Sequence, residues 1–351
     1  METPLVDVHR AAGARVKEYS GCALPESYVD LEREHSAARE SVALFDTNWH
    51  AIFSLTGRDR VKYLHAISSN NIQALATGQG TLALLLNPQG RIQAELEVYV
   101  LPEKLLVLSH ASLREQTLAL LRKYVIGSQV KVEDLTGLVG SFAVEGPRAT
   151  VIIEQACGVK FAEMPEMSIL DVTVEGISCQ LMRRSHFGEV GAEFIAARDC
   201  LGSLWEKLLA GVRAHGGEAI GMSALDTLRL EAGLPWFPAD FNDGMIPHEA
   251  VLENTHISFQ KGCYTGQEIV ERVRTRGHVN RKRVGLRFST VAPPAAGTKL
   301  RAGDAEIGFV TSAAFSPDAK PAIGMGYVRR EHLAPGSRVE FDGGTAEVTD
   351  S

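Results

Sequence analysis

Lys261-Gly262-Cys263-Tyr264-Thr265-Gly266-Gln267-Glu268 sets one cysteine in a glycine-flanked turn just ahead of a predicted helix. Thr265 and Glu268 have the Ser/Thr-x-x-Glu spacing of a capping box, so Thr265 is the expected N-cap. Ile269, Val270 and Val273 supply one apolar helical face. Cys263 then stands two residues before the cap, near unpaired backbone N–H groups and the positive end of the helix dipole. Lys261 adds a positive charge. Such surroundings favour the thiolate, the form of cysteine that acts as nucleophile and metal ligand. The competing reading is a small hydrophobe buried beside a tight turn, because free cysteine is among the most buried residue types. On these residues alone the two readings balance.

Further out lie Ile246-Pro247-His248-Glu249-Ala250 and Ile257-Ser258-Phe259 upstream, and Val270-Glu271-Arg272, Arg276-Gly277 and Arg281-Lys282-Arg283 downstream. With the central string they resemble the signature of the YgfZ-type folate-binding proteins, relatives of the glycine cleavage T-protein. The resemblance implies an accessory protein, not an enzyme, that supports iron–sulfur cluster assembly or repair through Cys263. It implies tetrahydrofolate or a folate derivative as the bound small molecule. The implied partners are iron–sulfur assembly proteins or cluster-dependent client enzymes, including those that support tRNA modification.

The chain has 351 residues, enough for two or three domains and a sizeable core. Its 45% hydrophobic and 23% charged content is that of a globular protein. A formal charge of −7 does not favour nucleic acid or acidic membranes. Met1-Glu2-Thr3-Pro4 does not open a signal peptide, and no apolar run is long enough to span a bilayer, so a cytoplasmic protein is expected. The five cysteines are Cys22, Cys157, Cys179, Cys200 and Cys263. Their odd number and wide spacing argue against a disulfide framework. There is no Cys-x-x-Cys, so no permanently bound metal or stable cluster is expected.

Thr81–Leu86 reads as a buried strand, and Asn87-Pro88-Gln89-Gly90 as a turn. The next strand alternates: Ile92, Ala94, Leu96, Val98 and Val100 face one way, and Gln93, Glu95, Glu97 and Tyr99 the other. A third strand follows at 105–109, and Ser112 with Glu115 predicts a capped helix. A helix is also expected over 57–68. The order recurs: a strand at 141–144, a helix opened by Pro147, strands near 169–174, 178–182 and 193–196, and a helix over 201–209. This is an α+β pattern of two related subdomains. The predicted organisation is a folate-binding region over 1–280, with a subdomain boundary near 137–140 and residues 215–280 returning to the first subdomain. After Arg283, five short β-like stretches separated by Pro, Gly, Ser and Asp predict a small C-terminal β-barrel over 281–351. It resembles the barrel of the T-protein family, including Gly308-Phe309-Val310-Thr311-Ser312.

Arg229-Leu230-Glu231-Ala232-Gly233 resembles the Arg-x-Glu-x-Gly segment of that family, whose glutamate recognises a pterin ring. A carboxylate suits the task because it accepts two parallel hydrogen bonds from the ring amino group and adjacent N–H. The expected folate contacts are therefore Glu231 first, with Arg229, Asn71, Tyr99 and Glu189. Gly188-Glu189-Val190-Gly191-Ala192-Glu193 resembles a family turn, for which a structural role is favoured. Asn70-Asn71 departs from the Asn-Asp of the aminomethyl-transferring members. Asn71 cannot ionise, so little or no aminomethyl transfer is expected. Lys261, Arg272 and Arg276 are candidate anion or partner contacts, set against the alternative of a solvated linker. RNA ranks lowest, since stacking aromatics are absent from that stretch. His248, His256 and His278 lie near Cys263 in sequence and read mainly as loop residues. The alternative function is a tetrahydrofolate-dependent aminomethyl or other one-carbon transferase.

Overall fold

The computed structural model describes residues 2–19 and 21–349, with Arg276 described by its backbone alone. The architecture is α+β: two large sheets and a closed six-stranded barrel. The chain forms two compact units. The first comprises Met1–Ile67, Asn71–Ala83 and Leu96–Leu225, and the second Ser68–Asn70, Leu84–Glu95 and Asp226–Ser351.

The first unit carries a six-stranded sheet in the order Ser168–Val174, Ile177–Arg183, Gly191–Ala197, Val139–Glu145, Ala43–Asp46, Glu218–Ala219. All neighbours are antiparallel except the last pair. Helices Ala149–Cys157 and Leu201–Ala214 cover one face. The second of these buries Leu201, Leu204, Trp205, Leu208, Leu209 and Val212, the i, i+3, i+4, i+7 stripe of an amphipathic helix. They pack on Phe142, Val144, Phe194 and Ala196, which the two-residue period of strands puts on one side. Ile195 and Met182 point the other way. They join Ile52, Tyr99, Leu106 and Leu108 of a second sheet in an inter-sheet core.

That second sheet runs Gly80–Leu86, Ile92–Val100, Lys104–His110, His50–Thr56, Lys131–Asp134. Near the chain start, His9 Nε2 meets Asp46 at 2.8 Å and Thr3 Oγ1 donates to the same carboxylate, which pins helix Val6–Ala11 to the six-stranded sheet.

Several sequence expectations are corrected. Gln93 and Glu95 are half-buried, but Glu97 and Tyr99 are buried, because the inner half of their strand is covered on both faces. Ser112 caps no helix; His110 caps a short 3-10 turn, and helix Arg114–Arg122 follows without a side-chain cap. Pro147 precedes the helix it was expected to open, which starts at Ala149. Strands Ala43–Asp46, His50–Thr56 and Lys131–Asp134 were not anticipated.

In the second unit, the barrel order is Arg281–Phe288, Ala322–Arg329, Ala305–Phe315, Lys299–Ala302, Arg338–Phe341, Gly344–Thr349, closed by pairing of the last strand with the first. Its interior holds Val284, Leu286, Phe288, Leu300, Val310 and Val348 among others. The final strand, Gly344–Thr349, was not among the five expected stretches. No helix among the described residues is long and apolar enough to cross a membrane.

Candidate active site

In the first unit a cluster of ionisable side chains is built into the inter-sheet core. Ile195 and Tyr99 belong to that core, so the strand period brings Glu193 and Glu97 to the same interface. Glu193 is fully buried. Its Oε1 accepts from Thr47 Oγ1 at 2.8 Å and from His50 Nδ1 at 3.1 Å. Its Oε2 lies 3.2 Å from His186 Nε2, yet neither of these two buried atoms has an aligned hydrogen-bond partner. Trp49 Nε1 donates to His50 Nε2 at 3.1 Å. When His50 is neutral, Nε2 accepts that bond and the ring proton sits on Nδ1, facing Glu193.

Burial alone would raise the Glu193 pKa, but the neighbouring imidazoles, His50 first and His186 beside it, hold it well below the usual carboxylate range. His50 is its counterpart. Burial disfavours its protonated form, and the charge and hydrogen bond of Glu193 outweigh that, so its pKa is raised.

Glu97 is buried beside this pair. Arg184 Nε contacts both its oxygens at 3.2 Å, and an Nη adds a bond of 3.1 Å. Tyr99 donates to it at 3.4 Å. Burial raises the Glu97 pKa, and the charges of Arg184 and His50 overturn that and lower it. Burial, with Glu97 nearby, pushes the Tyr99 phenol well up, so it stays a donor. The cluster thus holds two ionised carboxylates among two imidazoles, a guanidinium and a phenol.

Of the expected site residues, the first unit brings only Tyr99 into this cluster; Glu193, for which a structural role was favoured, stands at its centre. Glu189 lies outside it, half-buried and 3.8 Å from Arg39. Asn71 stands at the head of the 3-10 turn Ile72–Ala74. His50, His186, Glu97 and Arg184 were missed. Glu97 and His50 carry the signal of a charged or polar residue in an otherwise apolar strand, which sequence alone reads as a solvent-facing position, whereas Arg184 and His186 sit in the loop after strand Ile177–Arg183 and carried none.

The remaining candidates lie in the second unit. Arg229 is 1% exposed and engaged by Asp226 at 2.8 Å, by Asp240, and by the Trp236 ring at 5.1 Å. Asp240 also accepts from Thr311 at 2.6 Å and Ser312 at 2.7 Å. Arg229 is therefore a structural ion pair and not a free folate contact. Glu231 closes helix Met222–Glu231 and accepts from Ser316 Oγ at 2.6 Å.

Cys263 is exposed, which removes the reading of a buried hydrophobe. Thr265 is not the N-cap: the helix runs Gln267–Arg276 from Gly266, whose φ of +85° makes the turn, and no side chain caps it. Lys261 is buried, donating to the Ser68 carbonyl with its ammonium 4.8 Å from the Tyr264 ring centre, so it is no surface anion contact. Burial brings its pKa down to about 8. Arg272 is exposed, and the Arg276 side chain lies outside the described residues. His256 pairs with Glu95 at 2.9 Å, and His248 is buried.

Two family models match the chain: the GCVT N-terminal domain over residues 5–261, and the glycine cleavage T-protein C-terminal barrel domain over 281–349. The chain belongs to the glycine cleavage T-protein family. It is 28% identical to an aminomethyltransferase of Thermoanaerobacter pseudethanolicus over 97% of this chain and 92% of the relative. It is 29% identical to that of Halothermothrix orenii over 96% and 94%. Among solved structures, glycine cleavage system aminomethyltransferase T from Bartonella henselae superimposes with a TM-score of 0.90 at 27% identity, covering 100% of this chain and 97% of that one.

These matches correct the functional expectation. Relatives aligned along nearly the whole T-protein-family chain are aminomethyltransferases, which are enzymes, so a non-enzymatic iron–sulfur accessory role is overturned. The loss of activity inferred from Asn71 falls as well.

Proposed function

We propose that this protein is a tetrahydrofolate-dependent aminomethyltransferase, or a one-carbon transferase of the same class, working at the Glu193–His50–His186–Glu97 cluster. The observation that carries the reading is Glu193: a fully buried carboxylate, held ionised, with Oε2 and the adjacent His186 Nε2 lacking aligned partners. Buried polar atoms of this kind call for a partner. A pterin fits, because its amino group and ring N–H are donors and its ring nitrogens are acceptors. Glu193 Oε2 would accept from the first, and His186 would complete the contact. Tetrahydrofolate supplies the amine that takes up the one-carbon unit. As cationic character develops on that amine, Glu193 and Glu97 stabilise it without reorganising, since both are already ionised and fixed by hydrogen bonds. They take over the electrostatic part that Asn71 lacks. His50 keeps Glu193 oriented, and Arg184 keeps Glu97 charged.

The test is turnover of an aminomethyl donor with tetrahydrofolate. Glu193→Gln is expected to lower kcat/KM by about 10²-fold, the scale of losing one preorganised electrostatic group. No turnover by the unmodified protein, or an undisturbed Glu193→Gln variant, overturns the reading. A cytoplasmic setting belongs to this proposal and is supported by five free cysteines. The Lys261–Glu268 string supports a YgfZ-type branch within the family, and the activity proposed does not depend on that branch.

A further inference from the structure

Glu145 ends the strand Val139–Glu145 and is fully buried. Its carboxylate takes four donors from a single loop: Ser185 Oγ at 2.7 Å, His186 N at 2.6 Å, Phe187 N at 2.9 Å and Glu189 N at 3.1 Å. Ser185 Oγ in turn accepts from Gly188 N at 2.8 Å. Near-consecutive backbone N–H groups converging on one point form an anion-binding concavity. Here the chain closes that concavity with its own side chain. Gly191 pairs with Glu145 across the ladder, and a Cβ at Gly191 would stand 2.8 Å from Glu145 Cγ and 2.9 Å from the Arg184 carbonyl oxygen. The close approach of carboxylate and loop therefore needs glycine there.

The same loop carries His186, whose ring stands edge-on to Phe45 at 5.5 Å and to Trp49 at 5.9 Å. The geometry points to Glu145 as a positioning residue: by gathering the 185–189 loop it aims the His186 imidazole at Glu193. The inference rests on the reading of Glu193 and His186 as the tetrahydrofolate contact. Glu145 itself meets no substrate.

Glu145→Gln keeps size and shape but puts an NH₂ donor where every neighbour is a donor. Two readouts apply: the His186 ring resonance and its pH titration in protein labelled with ¹³C-histidine, and tetrahydrofolate affinity by tryptophan fluorescence. The expected result is a displaced or broadened His186 resonance, an altered titration midpoint and at least a tenfold rise in Kd, with the His9 resonance unchanged. An unaltered His186 resonance overturns the inference. If Glu145→Gln does not fold, Ser185→Ala removes one donor from the same carboxylate and is expected to move both readouts, with about a threefold rise in Kd; no movement overturns the inference equally. If the unmodified protein does not bind tetrahydrofolate, the functional reading fails, and the His186 resonance alone still decides the role of Glu145.

Discussion

Single residues divide here into those that hold the fold and those that present chemistry. Arg229 was expected to touch folate, but its guanidinium is spent on Asp240 and Asp226 inside the second unit. Burial disfavours its charge, and Asp240 and Asp226 more than restore it. Arg229→Met leaves Asp240 buried without its counter-charge, so it is expected to destabilise the protein by about 3–5 kcal/mol, read as a lower urea midpoint. A change below about 1 kcal/mol would show that Asp240 does not depend on the pair. Cys263 lies on an exposed turn and is not among the side chains that build the ionisable cluster. Cys263→Ser is accordingly expected to leave kcat/KM for aminomethyl transfer within about twofold, a difference worth only ~0.4 kcal/mol. A tenfold fall would return the thiol to the chemistry.

At the scale of elements, turns and strand ends decide more than helix signals do. Gly266 starts helix Gln267–Arg276 with φ at +85°, and a Cβ there would stand 2.6 Å from the Asn87 carbonyl oxygen. Gly266→Ala should therefore cost about 1–3 kcal/mol, from backbone strain and overpacking together. Full retention of the thermal midpoint would refute that account of the turn. The strand Lys104–His110 ends on a histidine whose Nδ1 accepts from the Ser112 N–H at 3.2 Å. Burial, with the nearby His50, pulls the His110 pKa down to about 4. An unfolded histidine takes its proton near 6.5. Between about pH 6.5 and 4 the unfolded chain thus binds a proton that the folded chain refuses, and stability falls as pH falls through that window. His110→Asn keeps a cap acceptor and removes the titration. It is expected to flatten the urea midpoint across that pH range, and an identical slope in the variant would exclude His110 as the source.

For the molecule as a whole, the functional proposal predicts linkage between folding and ligand. If tetrahydrofolate binds the folded chain alone, saturation at 100 times Kd stabilises it by about 2.7 kcal/mol, seen as a concentration-dependent rise in the thermal midpoint. Glu193→Gln should abolish most of that rise. A midpoint independent of tetrahydrofolate at millimolar concentration would remove folate from the account.

The sequence by itself determined the α+β class, the hairpin at Asn87–Gly90 and the C-terminal barrel, because strand alternation and turn residues are local signals carried by neighbouring positions. It also determined the family, through motifs spread over most of the chain. It misjudged Glu97 and Tyr99, since alternation shows that two faces differ but not that a second sheet covers the polar one. The active-site candidate was illegible for the same reason. Glu193, His50, His186 and Arg184 are separated by up to 143 positions and meet only when two sheets pack. Tertiary structure alone decided which carboxylates are buried and charged, because that depends on partners brought from distant strands and on the water that packing excludes.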